Sequence, residues 1–233
     1  MLRRYKMVTT GKADNRRPRR QSARLRGYDY TQCGAYFVTI CAWERRSLFG
    51  EVVNGEMHSN ALGDVVAEAW LAIPMHFPAV ELDTYTVMPN HAHGIVVIAV
   101  AAQHAAPSYP PSPPVAVAPG SLGAIVRSFK SAVTKRANEI GIRFAPQLWQ
   151  RNYYEHVIRN DDSLGRIREY IAANPACWEL DAENPQPRGV DEFDRWLTTF
   201  KTRPDTSGAR VMLPRGRAQH AAPLQRPNRP QGR

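Results

Sequence analysis

Two histidines one residue apart, His91-Ala92-His93, stand at the head of an apolar run, Ile95-Val96-Val97-Ile98. That run reads as a strand, where alternate side chains share a face, so the two imidazoles form a two-point clamp. Neutral imidazole is a common ligand for divalent ions. The same spacing also arises by chance as two surface histidines. The turn Pro89-Asn90 just before them sets the pair at a strand end and favours the clamp. No cysteine lies nearby to close a structural zinc site. An open site, completed by water and a phosphate oxygen, is the better fit.

Tyr170 and Asn174 are four residues apart on an expected helix and therefore lie on one face of it. They flank the apolar stripe Leu164, Ile167, Ile171. A flanking tyrosine can pack its ring on the domain and leave its hydroxyl in a cleft; a boundary tyrosine beside a capping asparagine has the same pattern. Tyr153 and Tyr154 are rival nucleophiles, on a segment that alternates as a strand and so turns one of them into the core. Around them, Trp149, Arg151, Tyr153, His156 and Arg159 interleave aromatic and basic side chains, which suits stacking on unpaired bases and gripping phosphates. Ordinary strand packing with surface arginines reads the same. Arg127 and Lys130 belong to the same stretch, since residues 127–168 carry nine basic and four acidic side chains. Glu81 and Asp83 share a strand face, with nothing in the sequence to organise them as a carboxylate pair. Gly-rich phosphate loops, a GxSxG elbow and HExxH are absent, so nucleotide-driven, nicotinamide and zincin chemistry have no support.

The elements that must position these residues follow from period and punctuation. Residues 35–43 are a strand of aromatic and β-branched residues. Leu48 to Val53, an Asn54-Gly55 turn and Glu56 to His58 form a hairpin. Leu62, Val65, Val66, Ala69, Trp70 and Ile73 recur at helical spacing, predicting a helix over 60–74 with Pro74 behind it. Strands over 79–88 and 91–100 flank the short turn and pair antiparallel. A helix begins at Ser121, a short strand lies at 154–158, and Asn160-Asp161-Asp162-Ser163 starts a helix over 164–173 that stops at Asn174-Pro175. A last short helix is expected at 190–200. The order predicts an α+β fold, helices packed on a mainly antiparallel sheet.

The 233 residues carry a formal charge of +10, unevenly spread. Residues 1–26 are net +9 and residues 201–233 net +7, whereas 27–200 are net −6. The division expected is a flexible basic arm (1–26), a folded domain (27–180) with a Pro-rich insertion (101–119), and an extension (181–233) that is basic and disordered from about 204. The hexapeptide Ala-Gln-His-Ala-Ala-Pro at 102–107 and 218–223 is low-complexity rather than a structural repeat. Three scattered cysteines and the lack of an apolar leader or an 18-residue apolar run point to a cytoplasmic protein with no membrane partner.

Met88-Pro89-Asn90-His91-Ala92-His93-Gly94-Ile95, then Leu148-Trp149-Gln150-Arg151-Asn152-Tyr153-Tyr154-Glu155-His156-Val157-Ile158-Arg159, then Tyr170-Ile171-Ala172-Ala173-Asn174-Pro175 resemble, in order and spacing, the single-tyrosine HUH transposases, most of all the REP-associated branch. The openings Arg24-Leu25-Arg26-Gly27-Tyr28-Asp29-Tyr30 and Ala35 to Ile40 are similar too, and the match spans roughly 22–180. The resemblance implies a ferredoxin-like or RRM-like antiparallel sheet flanked by helices, the HUH endonuclease fold. It implies a metal-dependent endonuclease and strand transferase acting on single-stranded or hairpin DNA such as repetitive extragenic palindromes, working as monomer or homodimer. His91 and His93 would hold Mg2+ or Mn2+, with Asn174 in place of a residue that is often Gln. Tyr170 would be the nucleophile and form a 5′-phosphotyrosine. Ala92 replaces a usually bulky apolar residue. The alternative from another class is a DNA- or RNA-hairpin-binding protein that no longer cleaves.

Overall fold

The computed structural model describes residues 28–99, 118 and 120–202. The arm at 1–26, nearly all of the Pro-rich 101–119 stretch, both hexapeptide copies and the tail from 204 lie outside the described residues. Chain order is β1 (Gly34–Cys41), β2 (Gly50–Val53), β3 (Glu56–Ser59), α1 (Ala61–Leu71), α2 (Ile73–His76), β4 (Val80–Met88), β5 (His91–Ile98), α3 (Leu122–Glu139), β6 (Tyr154–Ile158), α4 (Asp161–Ala173) and α5 (Glu192–Thr202). Four strands form one sheet in the order β4-β5-β1-β6, antiparallel at every joint, while β2 and β3 make a separate hairpin. Each of the two strand–helix–strand passages, β1 through α1 to β4 and β5 through α3 to β6, skips one strand. This is the split βαβ arrangement of a ferredoxin-like fold.

The local chemistry accounts for the elements. Asn54 and Gly55 both take positive φ, 52° and 79°, as a tight hairpin turn requires. Asn60 caps α1 by accepting from the N–H groups of Leu62 and Gly63, and Asn160 caps α4 through Ser163. Asp161 and Asp162 in the first turn of α4 complement its dipole, so the helix begins three residues ahead of Leu164. The helix expected over 60–74 is instead two pieces. α1 ends at Leu71, and Pro74 lies in the first turn of α2, where its missing N–H costs nothing.

Period-two alternation gives the sheet two unlike faces. Tyr36, Val38, Ile40, Ala92, Val96 and Ile98 point to one side, into a large core closed by α1 and α3 with Trp70, Phe129 and Trp149. Ala35, Phe37, Ile95 and Val97 point to the other side, onto Leu164, Ile167 and Ile171 of α4 and Phe193 and Leu197 of α5. This second cluster draws residues from both sides of position 180. Gly94 lets α1 settle on the sheet: a Cβ there would come within 2.2 Å of the Trp70 ring. Among the described residues no helix is long and apolar enough to cross a membrane.

Candidate active site

His91 and His93 occupy odd positions of β5 and therefore face α4 with Phe37 and Ile95. β5 is an interior strand, and the two histidines pair with Cys41 and Thr39 of β1 on one side and with Met88 and Thr86 of β4 on the other. Both are buried, at 0% and 1% exposure, which separates them from chance surface histidines. Their ring centroids are 4.2 Å apart. Each ring has a hydrogen-bond partner at Nδ1: Asn90 Oδ1 at 2.8 Å from His91 and Thr39 Oγ1 at 2.9 Å from His93. With Nδ1 so engaged, both rings present Nε2 to the same small space.

A third group enters that space from the segment that the sequence marks only as the start of an extension beyond residue 180. Asp181 is 2% exposed, and its Oδ2 lies 3.7 Å from His91 Nε2 and 3.8 Å from His93 Nε2. Ligand atoms of the three residues fall within 4.8 Å of one another. Burial works to raise the Asp181 carboxyl, but the imidazoles of His91 and His93 and the Asn174 amide outweigh it and hold it well below the usual carboxylate range. Two imidazole nitrogens and a carboxylate oxygen, all buried and converging, suit a divalent ion with positions left for other ligands. Asn174, 1% exposed, donates from Nδ2 to Asp181 Oδ2 at 2.7 Å, which leaves its Oδ1 buried without a hydrogen-bond partner. Its amide thus orients the carboxylate.

Tyr170 comes to the same point from α4. Its hydroxyl is 3.4 Å from His93 Nε2, from Asp181 Oδ2 and from Asp191 Oδ2. Its ring stacks on Phe193 with centroids 3.7 Å apart and planes 9° apart, and meets Phe37 edge-on. Asp191 also accepts from the Ala182 and Asp194 N–H groups, which places it at the start of α5. Tyr154 is buried against Phe37, and Tyr153 is partly buried on the opposite face of the sheet, with Lys130 Nζ 6.0 Å from its ring centre. Tyr153 thus lies across the sheet from the histidine pair, whereas Tyr154 shares their face one strand away, opposite Thr39.

The residues read as nucleic-acid contacts divide. Arg127 and Arg151 are exposed and Arg159 is partly so. Trp149 is buried with its ring against Phe49 and Phe129, and its indole N–H donates to the Lys130 carbonyl. Lys130 donates to the carbonyls of Gln150 and Asn152 and so braces the loop that presents Arg151. Arg151, Lys135 and Arg143 line a wide groove beside α3. His156 lies near Trp196 of α5; burial, aided by Arg159, pushes its imidazole down to about 4. Glu81 and Asp83 are not a working pair: the Arg168 guanidinium holds both oxygens of Asp83 and ties α4 to β4 beside a register shift.

Sequence reasoning missed Asp181, Asp191, Thr39 and Asn90. Asn90 was visible only as a turn residue. The one available hint of the two aspartates was that a body of net −6 must place some of its carboxylates away from any polyanion.

No family model matches the chain. A Haemophilus influenzae protein, itself uncharacterized, is 41% identical over 170 residues, which span 70% of this chain and 91% of that one. The chain belongs to that protein's family. Among solved structures, a REP-associated tyrosine transposase bound to a REP hairpin is 19% identical, with a TM-score of 0.43 over 64% of this chain and 70% of the other. A protein of Deinococcus radiodurans described as a candidate transposase is 17% identical, with a TM-score of 0.36 over 62% of this chain and 92% of that one.

Proposed function

We propose that the chain is a metal-dependent enzyme that nicks and rejoins single-stranded DNA, a transposase of the REP-associated tyrosine kind acting beside DNA hairpins. What supports this reading most is the meeting of three separated segments: the Tyr170 hydroxyl lies 3.4 Å from both His93 Nε2 and Asp181 Oδ2, two members of the buried His91–His93–Asp181 set. A divalent ion held by His91, His93 and Asp181 would neutralise a phosphate oxygen and make the phosphorus a better electrophile. Two nitrogen donors suit Mn2+ better than Mg2+, which prefers an all-oxygen shell.

The chain's own residues supply the rest. A free phenol, with a pKa of about 10, is mostly protonated at neutral pH and needs a proton acceptor. Asp191 Oδ2 lies 3.4 Å from it, and burial raises that carboxyl above its ordinary value, a direction that suits proton acceptance. Phe193 holds the phenol ring by stacking. Attack forms the Tyr170 Oη–phosphorus bond and breaks the bond to the 3′ oxygen, which leaves as a hydroxyl after taking up a proton. The 5′-phosphotyrosine keeps the bond energy, so another 3′-hydroxyl can reverse the step without ATP. Exposed Arg127 and Arg151 hold phosphates away from the site.

Incubation of labelled hairpin-bearing single-stranded DNA with the full chain and Mn2+, followed by denaturing electrophoresis, tests the reading. A covalent adduct that disappears with EDTA and in Tyr170→Phe is expected. Tight hairpin retention with no adduct at any Mn2+ or Mg2+ concentration would replace this reading with the non-cleaving hairpin binder.

A further inference from the structure

The three ligand groups are not held alike. His91 and His93 are fixed by strand pairing on both sides, whereas Asp181 lies between the short turn Trp178–Leu180 and α5, on a stretch with no ladder of its own. Two residues further on, Glu183 is 2% exposed, and the Arg45 guanidinium engages its carboxylate. Cys41 Sγ approaches the same oxygen at 3.5 Å. The Glu183 carbonyl accepts from Asn90 Nδ2 at 2.8 Å, and that amide also donates to the Arg45 carbonyl at 3.0 Å. Asn90 Oδ1 is the partner of His91 Nδ1. The Glu183 N–H donates back to Asp181 Oδ1, leaving Oδ2 aimed at the imidazoles. Glu44 and Arg45 both carry φ of 54°, a left-handed conformation that costs energy in residues with a side chain and is kept only where the surroundings fix it. Here the Ala42 and Trp43 N–H groups bond to Asn90 and Leu148 and hold the bend.

A buried ion pair adds little to stability over apolar side chains of the same volume. Its value here is positional. We propose that Arg45, Glu183 and Asn90 form a latch that pins residues 181–183 to the end of the sheet and so delivers the Asp181 carboxylate to the two imidazoles. This rests on the metal reading above. The three are positioning residues: they act through Asp181 and, for Asn90, through the orientation of His91.

Calorimetric titration of the full chain with Mn2+, with thermal melts alongside, tests the latch without reference to cleavage. Loss of a group that orients a ligand typically weakens metal binding by about 10- to 100-fold. Arg45→Ala and the near-isosteric Glu183→Gln are each expected to weaken Mn2+ binding by about that factor, and Arg45→Lys by less. In the Asp181→Ala background, Arg45→Ala should weaken binding no further, because a latch has nothing to deliver there. Unchanged affinity in Glu183→Gln, or an equal loss from Arg45→Ala with and without Asp181, overturns the latch. If Arg45→Ala melts below the assay temperature, Glu183→Gln carries the test. If the wild-type chain binds no Mn2+, or binds it equally well after His91→Ala and His93→Ala, the metal reading fails and takes the latch with it.

Discussion

The two faces of the sheet are made by the same strands and do opposite work. Toward α1 and α3, even-numbered positions of β1 and β5 are apolar throughout, and the face closes on Trp70, Phe129 and Trp149 with ring-to-ring packing. Toward α4 and α5, odd-numbered positions carry Thr39, His91 and His93 among Phe37 and Ile95, so buried polar groups must find partners. Thr39 and His93 pair with each other and His91 with Asn90, while the remaining ring nitrogens face groups far away in sequence, Tyr170 and Asp181. One face is therefore a matter of volume and the other of direction. A residue change on the first should cost stability, and on the second function.

That contrast can be broken in both directions. Trp70→Ala removes the ring that Gly94 makes room for and should cost about 3–5 kcal/mol in denaturant unfolding, while the folded fraction keeps its Mn2+ affinity. His93→Ala should do the reverse: Mn2+ affinity falls by about 100-fold or more, with a much smaller change in unfolding free energy. Trp70→Ala and His93→Ala with the same profile would dissolve the division between the faces.

A smaller effect sharpens the chemistry-bearing face. The His156 imidazole, pushed down to about 4 by burial and then by Arg159, is neutral in the folded chain near pH 5, whereas in the unfolded chain it titrates near its ordinary 6.5. Between those values the unfolded state binds more protons, so stability is lost as pH falls from about 6.5 toward 4, with no further loss from this group below 4. Because the ring is partly exposed, the loss should be about 2 kcal/mol or less. Melts of the wild type and His156→Gln at pH 7 and pH 5 measure it. An equal pH response in the two proteins would remove His156 from the account. The smallest effect is the cap of the helix that carries Tyr170: Asn160→Ala should cost about 1 kcal/mol, since the Ser163 N–H loses its acceptor.

How legible each face was follows from the same contrast. Periodicity reports on neighbours one turn or one pleat away, so β1, β5, the Asn54-Gly55 hairpin, the cap at Asn160 and the Leu164–Ile167–Ile171 stripe could all be read from residue order. The placement of His91 and His93 on a common face also follows from period two. Asp181 and Glu183 carry no such mark: in sequence they are acidic residues in a Pro-containing stretch, and only a contact across the fold makes them buried. Trp149 misleads for the complementary reason. Aromatic-and-basic interleaving reads alike whether the ring stacks on a base or, as here, on Phe49 and Phe129. Lys130 likewise looks like a phosphate contact and is engaged by two backbone carbonyls.

The central claim is that the polar face performs the reaction through Tyr170. The most direct test is to digest the covalent protein–DNA adduct formed in Mn2+ and locate the nucleotide-bearing peptide by mass spectrometry. The account predicts a single modified residue, Tyr170, bonded to a 5′ phosphate. A nucleotide on Tyr153 or Tyr154 would contradict it.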